Sequence, residues 1–303
     1  MTCRLILDEE KSNQVKIGVL GGGFGLYGYC PSISDLNHQV VTLEKYRTEI
    51  AKRPELKYLL HTIEFVSNSS KVIESTGALV YARLPFKSVG DFKSLGNSPG
   101  HIFLEKPLGA SPQIHKELIS ELASQKRTFS IAYLSKYTQW YKDIIQSVEA
   151  GNTKVTIKWS IAEPKNAWKI DVNQGGGAFT FYGIHFFELL SELGITTKNI
   201  KESFQDPKKF YLKVESAKCE IDLTIDISGY HQFQVEIISR NGIPRVFKSA
   251  TPFGVLPVAG DSDPRRKILS KYIEENLLSS SSHAKIKLEQ LILDFRNSTQ
   301  QHQ

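Results

Sequence analysis

Three cysteines in 303 residues, Cys3, Cys30 and Cys219, are too few and too widely spaced for a disulfide framework or a Cys-x-x-Cys metal site. They suit a reducing compartment. Runs of like charge are also missing: lysine and arginine total 38 against 32 acids, and the net charge of +6 is spread along the chain. This is a solvated surface with some excess lysine rather than a nucleic-acid footprint, and an anionic ligand is the second reading. No stretch reaches membrane-spanning length. Met1 to Gln14 carries Arg4, Asp8, Glu9, Glu10 and Lys11 and holds no apolar run of signal-peptide length, so a cytoplasmic protein with no membrane partner is expected. There is no internal repeat.

What is present is an ordinary globular composition, 40% hydrophobic and 23% charged, over a length that accommodates two cores. Val15–Leu20 reads as a buried parallel strand followed at once by Gly21-Gly22-Gly23-Phe24-Gly25. Such a turn lets a diphosphate approach backbone N–H groups at the start of a helix. Gly23, Gly25 and Gly28 satisfy Gly-x-Gly-x-x-Gly, but counted from Gly21, the first glycine after the strand, the third glycine falls at Gly25, one residue early. On its own the turn is as well explained by structure as by a cofactor. The next strand, Gln39–Glu44, ends in an acid at the distance from the glycines where a carboxylate meets the ribose hydroxyls of NAD. Lys45 and Arg47 follow, and either can receive the 2′-phosphate of NADP instead.

Strands at Thr62–Val66, Ala78–Ala82, Ile102–Leu104 and Thr128–Tyr133 alternate with helical segments at Val89–Leu95 and Ser111–Gln125, the latter opened by Ser111-Pro112. The alternation predicts an α/β class protein with an N-terminal doubly wound parallel sheet over residues 1–133. Glu105, Lys106 and Pro107 stand at the carboxyl end of a strand, where open α/β sheets bind ligands. Beyond residue 133 the texture changes. A helix at Tyr137–Glu149, strands at Lys154–Ile161, Tyr211–Val214, Cys219–Ile227, His231–Ser239 and Ile243–Lys248, and helices at Tyr182–Leu193, Lys267–Leu278 and Ala284–Arg296 predict a second α/β domain over 134–303 on an open, mostly antiparallel sheet. The serine run Ser279–Ser282 reads as a loop. A sheet with one open apolar face leads to a homo-oligomer.

Three motifs in order, the glycine turn, Glu105-Lys106-Pro107, and Gly175-Gly176-Gly177-Ala178 leading to Gly183-x-His185, resemble the glucose-fructose oxidoreductase, inositol dehydrogenase and MocA (Gfo/Idh/MocA) family over about Val15 to Leu190. The resemblance implies a Rossmann domain followed by a substrate-binding and oligomerisation domain. It also implies a nicotinamide cofactor exchanging hydride with a hydroxyl-bearing or carbonyl carbon of a sugar, cyclitol or nucleotide sugar. Its catalytic pair falls on Lys106, a fixed cation for the developing alkoxide, and His185, the proton shuttle. Gly21, Gly23, Phe24, Gly25, Glu44, Lys45, Arg83, Glu105 and Lys106 then contact the cofactor, NAD slightly ahead of NADP, and Lys136, Trp168, Lys169, Tyr182 and His185 the substrate. Arg83 serves either the diphosphate or a loop.

One departure bears on activity. Where the family commonly carries an aspartate four residues before the histidine, this chain has Phe181, which cannot move a proton. Stacking of Phe181 on His185 is one expectation; Tyr182 and Glu188 are candidate substitutes, with core aromatic and surface acid as their plainer readings. Two alternatives stay open: a catalytically degenerate cofactor-binding sensor, and an imine or tetrapyrrole reductase whose proton donor is not the lysine–histidine pair. No metal is expected.

Overall fold

The computed structural model describes residues 14–85, 100–124, 128–256, 258, 260–277 and 283–300, for the last helix with side chains over 286–297 only. Cys3, the segment Val89–Leu95 and the serine run lie outside the described residues. The described residues within Met1–Glu105, Gln125–Ala132 and Pro257–Ser281 make up one compact unit, and those within Lys106–Ser124, Tyr133–Leu256 and Ser282–Gln303 a second.

Short apolar runs build the first unit. The strands β1 (Lys16–Leu20), β2 (Gln39–Leu43), β3 (Glu64–Val66), β4 (Ala78–Tyr81), β5 (His101–Leu104) and β6 (Phe129–Ile131) form one parallel sheet in the order β3-β2-β1-β4-β5-β6. The chain runs outward from β1 to β3, then returns to β4 beside β1, so the strand order reverses between β1 and β4. That switch point is where open α/β sheets take ligands. The sheet core is aliphatic and aromatic: Ile17, Val41, Leu79, Val80, Ile102 and Phe103 are fully buried. Each such side chain contributes about 1.5–3 kcal/mol relative to exposure.

Helices α1 (Cys30–Asp35), α2 (Arg47–Ala51) and α3 (Ser69–Glu74) belong to this unit. Asn68 caps α3 by accepting the Lys71 N–H at 2.9 Å. The sheet is completed by a helix from much later in the chain, Arg266–Leu277, which packs on α1: Ser32 Oγ donates to the Arg266 carbonyl at 3.1 Å, and Arg266 pairs with Asp35. Its Tyr272 hydroxyl lies 2.8 Å from Ser130 Oγ, itself 2.9 Å from His101 Nε2.

Cys30 and Cys219 are free and buried. Burial pushes the Cys30 thiol from 9.0 up to about 12. Because the folded pKa is raised, the stability it contributes is complete below the unfolded pKa and is lost as pH rises from about 9 to about 12. The expected slope is about 1.4 kcal/mol per pH unit for this group. Urea unfolding of Cys30→Ala between pH about 8 and about 11 will show a shallower loss than the parent by roughly one proton; equal slopes would contradict this.

In the second unit, α4 (Pro112–Ser124) starts at the expected proline, with Ser111 Oγ accepting the Ile114 N–H at 3.3 Å. The helix α5 (Gln139–Glu149) buries Trp140, Tyr141, Ile144 and Val148, a stripe at three- and four-residue spacing that faces its core. Strands β7 (Thr153–Ser160), β8 (Ile200–Gln205), β9 (Lys209–Glu215), β10 (Cys219–Asp226), β11 (Gln232–Ile238) and β12 (Pro244–Ser249) give a six-stranded sheet in the order β12-β11-β7-β10-β9-β8, antiparallel except for the parallel pair β7/β10. Helices α6 (Phe187–Glu192), α7 (the Arg266–Leu277 helix of the first unit) and α8 (His283–Gln300) complete the set used below.

The expected open face of this sheet is not apolar. Along β7, Thr153, Val155, Ile157 and Trp159 are buried while Lys154, Thr156, Lys158 and Ser160 alternate with them. The alternating positions carry cross-strand ion pairs, Lys154 and Lys213 with Glu220, and Lys209 with Asp226. The apolar-face premise for a homo-oligomer is therefore corrected, because this face carries charged rows of both signs.

Candidate active site

The glycine turn is dictated by close approach on one side and open space on the other. A Cβ on Gly21 would stand 2.2 Å from the Ala82 carbonyl oxygen, so only glycine lets the end of β1 pass the end of β4. Gly23, at φ +56°, has no atom within 4 Å of where its Cβ would be. That bare backbone suits a diphosphate held by main-chain N–H groups. Gly25 sits against Val19 and Ala82, the close helix–strand packing that a third glycine provides.

The glycine that comes one residue early is matched by the geometry that follows it. Gly25–Tyr29 is a π-helical turn, which takes up more residues per turn than an α-turn before α1 begins at Cys30. Gly28 has a different reason: its Cβ would stand 2.4 Å from the Phe24 ring.

Glu44 emerges at the end of β2 in an exposed turn, where Arg47 donates to both of its oxygens at 2.6 and 3.1 Å. The Arg47 guanidinium holds the Glu44 carboxyl below its usual range. Lys45 Nζ lies 5.2 Å from the Tyr46 ring centroid, and Tyr46 flanks Gly22, 3.4 Å from where its Cβ would be. Arg83 donates to Ser69 Oγ at the start of α3 at 2.9 Å. Glu105 is anchored as well: the Tyr29 hydroxyl donates to its Oε1 at 2.6 Å, and its N–H bonds to the Tyr81 carbonyl at 3.1 Å. Burial, then the Glu105 charge, hold the Tyr29 phenol well above its ordinary value. Sequence reasoning missed Tyr29 and Tyr46, because neither stands inside a motif.

Lys106, the next residue in the chain, belongs to the second unit and is seated there by Phe181. Its Nζ donates to the Phe181 carbonyl at 2.8 Å and lies 3.9 Å from the centroid of the same ring. The position expected to supply a carboxylate instead supplies a carbonyl oxygen and a π-face. A cation on an aromatic face is worth about 0.5–2 kcal/mol. Lys169 Nζ lies 5.6 Å from that centroid, and Trp168 meets Phe181 edge-on at 5.1 Å.

The segment bearing Trp168 and Lys169 is braced by the second glycine motif. A Cβ on Gly176 would stand 2.2 Å from the Trp168 carbonyl oxygen, and the Gly177 N–H bonds to the Lys169 carbonyl at 2.9 Å.

The helix expected over Tyr182–Leu193 is irregular. A π-turn at Ala178–Tyr182 and a 3₁₀ turn at Gly183–Phe186 precede α6. The α spacing that would have put residues 181 and 185 on one face therefore fails, and the Phe181 ring instead meets Trp168 and Tyr182, at 5.1 and 4.9 Å. Tyr182 meets Trp159 at 5.3 Å, Trp159 meets His185 at 6.3 Å, and Phe253 lies 5.4 Å beyond. His185 is buried, and its main-chain carbonyl accepts Ser135 Oγ–H at 2.7 Å.

Lys106 and His185 thus stand at two points of one aromatic chain, Phe181-Tyr182-Trp159. Burial pushes the Tyr182 phenol up to about 12, so it is a proton donor in hydrogen bonds and not a base near neutral pH. Glu188 forms an ion pair with Lys136 at 3.6 Å. Among the described residues no group of three or more His, Cys, Asp and Glu side chains is placed to hold a metal, and no helix is long and apolar enough to cross a membrane.

No protein-family model matches the sequence, and no curated protein matches it either. Solved structures do match over nearly the whole chain. The MviM dehydrogenase of Clostridium difficile aligns at TM-score 0.67 and 16% identity, over 94% of this chain and 99% of that one. The WlbA dehydrogenase of Thermus thermophilus, solved with NAD and UDP-GlcNAcA, aligns at 0.61 and 15% over 93% and 94%. The 3-ketoreductase KijD10 of Actinomadura kijaniata, solved with NADP and TDP-benzene, aligns at 0.68 and 10% over 95% and 98%. At these identities the likeness is one of fold: a parallel Rossmann sheet and a second, mostly antiparallel sheet, as in Gfo/Idh/MocA-type dehydrogenases.

Proposed function

We propose that this chain, folded as the Gfo/Idh/MocA-type dehydrogenases are, is an NAD(P)-dependent oxidoreductase acting on a hydroxyl or carbonyl carbon of a sugar, cyclitol or nucleotide sugar. The observation that carries the reading is Lys106, an ammonium fixed by the Phe181 carbonyl and ring immediately after the strand end that bears Glu105. The unit with the parallel sheet binds the cofactor and the unit with the second sheet binds the substrate. A reducing cytoplasm suits it.

When bound, the nicotinamide accepts or returns the hydride. The residues of the chain do the rest. The glycine turn receives the diphosphate on bare backbone, and Glu44 receives the ribose hydroxyls. Lys106 stabilises negative charge on the substrate oxygen, a preorganised cation that needs no reorientation as charge develops. His185 takes the hydroxyl proton in oxidation and returns it in reduction. Lys136, Trp168, Lys169 and Tyr182 bind and orient the substrate.

The test is a turnover screen of sugars, cyclitols and nucleotide sugars with NAD and NADP, followed by nicotinamide absorbance. Substrate-dependent change in that absorbance, abolished in His185→Ala, supports the proposal. Phe181, which offers no proton, favours a second reading, a cofactor-binding sensor; cofactor binding with no turnover of any compound would select it. Turnover that survives His185→Ala would instead favour reduction of an imine or tetrapyrrole.

Cofactor choice turns on Glu44 and Arg47. Glu44→Gln weakens the Arg47 pair and removes the charge that repels a 2′-phosphate. The ratio of NADPH to NADH affinity is therefore expected to rise at least about tenfold, the worth of one charge-assisted hydrogen bond. An unchanged ratio in fluorescence titrations would mean that Glu44 does not meet the ribose.

A further inference from the structure

The glycine turn carries no basic side chain of its own, although a bound dinucleotide would bring two negative charges to it. Its neighbours after β2 and β4 are engaged: Arg47 with Glu44, Arg83 with Ser69, and Lys45 against Tyr46. A guanidinium arrives there from the other end of the first unit. Arg265, just before α7, lies 4.0 Å from the centroid of the Phe24 ring, and Phe24 is the residue that directly follows the bare backbone of Gly23.

The arrangement is held from two sides. The Phe24 ring is fixed edge-on to Tyr27 and Tyr29, each at 5.5 Å, and rests over Gly28, where a Cβ would collide with it. Asp263, whose side chain is 2% exposed, accepts from Arg265 Nε at 2.9 Å and Nη2 at 2.8 Å. A guanidinium has five N–H donors, and this fork uses two of them, leaving the outer edge for another acceptor. The Arg265 side chain stays 25% exposed. Its neighbour Arg266 has a different task, pairing with Asp35 to pin α7 to α1.

We infer that Arg265, oriented by Asp263 and the Phe24 face, is a diphosphate-binding residue of the cofactor site, supplied by the segment before α7 to a glycine turn that carries no basic side chain of its own. The inference rests on the dinucleotide reading above and adds a residue to it. Planar, bidentate recognition of phosphate oxygens is what a preoriented guanidinium offers and an ammonium does not.

The experiment is calorimetric titration of the full-length chain with NADH, ADP and adenosine, in the parent, Arg265→Met, Arg265→Lys and Asp263→Asn. One lost charge-assisted hydrogen bond pair corresponds to a loss of affinity of roughly 10- to 100-fold. Arg265→Met is expected to lose that much for NADH and ADP and nothing for adenosine, which has no phosphate, with a weaker salt dependence of ADP binding. Arg265→Lys, which keeps the charge without the fork, and Asp263→Asn, which loosens its orientation, should fall in between. Unchanged ADP binding in Arg265→Met, or an equal loss for ADP and adenosine, would overturn the inference and leave Arg265 as a clamp on Phe24. Failure of the parent to bind NADH or ADP would overturn the dinucleotide reading as well, so the two failures are told apart.

Discussion

Lys106→Ala is expected to lower kcat/KM by roughly 10²–10³-fold, the usual cost of removing a preorganised donor from a developing oxyanion. The reason lies in how the ammonium is held. The Phe181 carbonyl at 2.8 Å and the Phe181 ring centroid at 3.9 Å both bear on its Nζ and fix where it stands. In the proposed function this is the ammonium that meets the substrate oxygen. Lys106→Arg should not restore the rate, because a planar, delocalised guanidinium neither fits over the same ring in the same way nor concentrates charge at one point. Steady-state kinetics at saturating cofactor decide the matter, and a loss confined to KM would mean that Lys106 only binds substrate.

Glu289→Ala should be the most destabilising single change in the second unit. Glu289 is fully buried on α8, where the Tyr133 hydroxyl donates to Oε1 at 2.5 Å and His115 Nε2 of α4 lies 2.6 Å from Oε2. Arg296, a turn or two along the same helix, donates to the Ala110 carbonyl at 3.4 Å; burial brings its guanidinium down to about 10 against the opposing pull of the Glu289 charge. Removing the carboxylate takes the acceptor from the Tyr133 phenol, the facing oxygen from the His115 imidazole and a nearby negative charge from the Arg296 guanidinium. Removing one member of a buried charged network in this way costs about 3–5 kcal/mol. For units of this size that corresponds to a fall of roughly 10 °C in the melting temperature of the second unit, read by calorimetry as a separate transition if the units unfold separately. Glu289→Gln, which keeps an acceptor for Tyr133, should lose less. A loss below about 1 kcal/mol would show that the network contributes little.

The parts of the fold legible in the sequence were those where chemistry is local. Strand β1 with its glycines, the Glu105-Lys106-Pro107 end of β5 and the alternation along β7 each announce themselves within a few residues. Strand β8 was not legible: Ile200-Lys-Glu-Ser-Phe-Gln205 is an edge strand exposed along much of its length, so it has no apolar alternation to detect. The π-turns at Gly25 and Ala178 were invisible for another reason. A helix read at 3.6 residues per turn assigns residues 181 and 185 to one face, and an extra residue in the turn removes that assignment.

Within the candidate site, the departure at Phe181 could be read but its consequence could not. Its most direct contact with Lys106 is made by a backbone carbonyl, which every residue has. Arg265 was hidden by distance, since Asp263-Pro264-Arg265-Arg266 reads as a helix start. Only the folded unit puts one arginine on Phe24 and the other on Asp35.

Titration of the purified chain with NADH and with NADPH, following reduced-nicotinamide fluorescence, is the most direct measurement of all. Saturable enhancement with a preference between the two, lost in parallel when Gly21 is replaced by a residue whose Cβ meets Ala82, is the expected result. Absence of binding by either nucleotide would mean that the early glycine and its π-turn do not cradle a diphosphate, and the oxidoreductase proposal would fall with it.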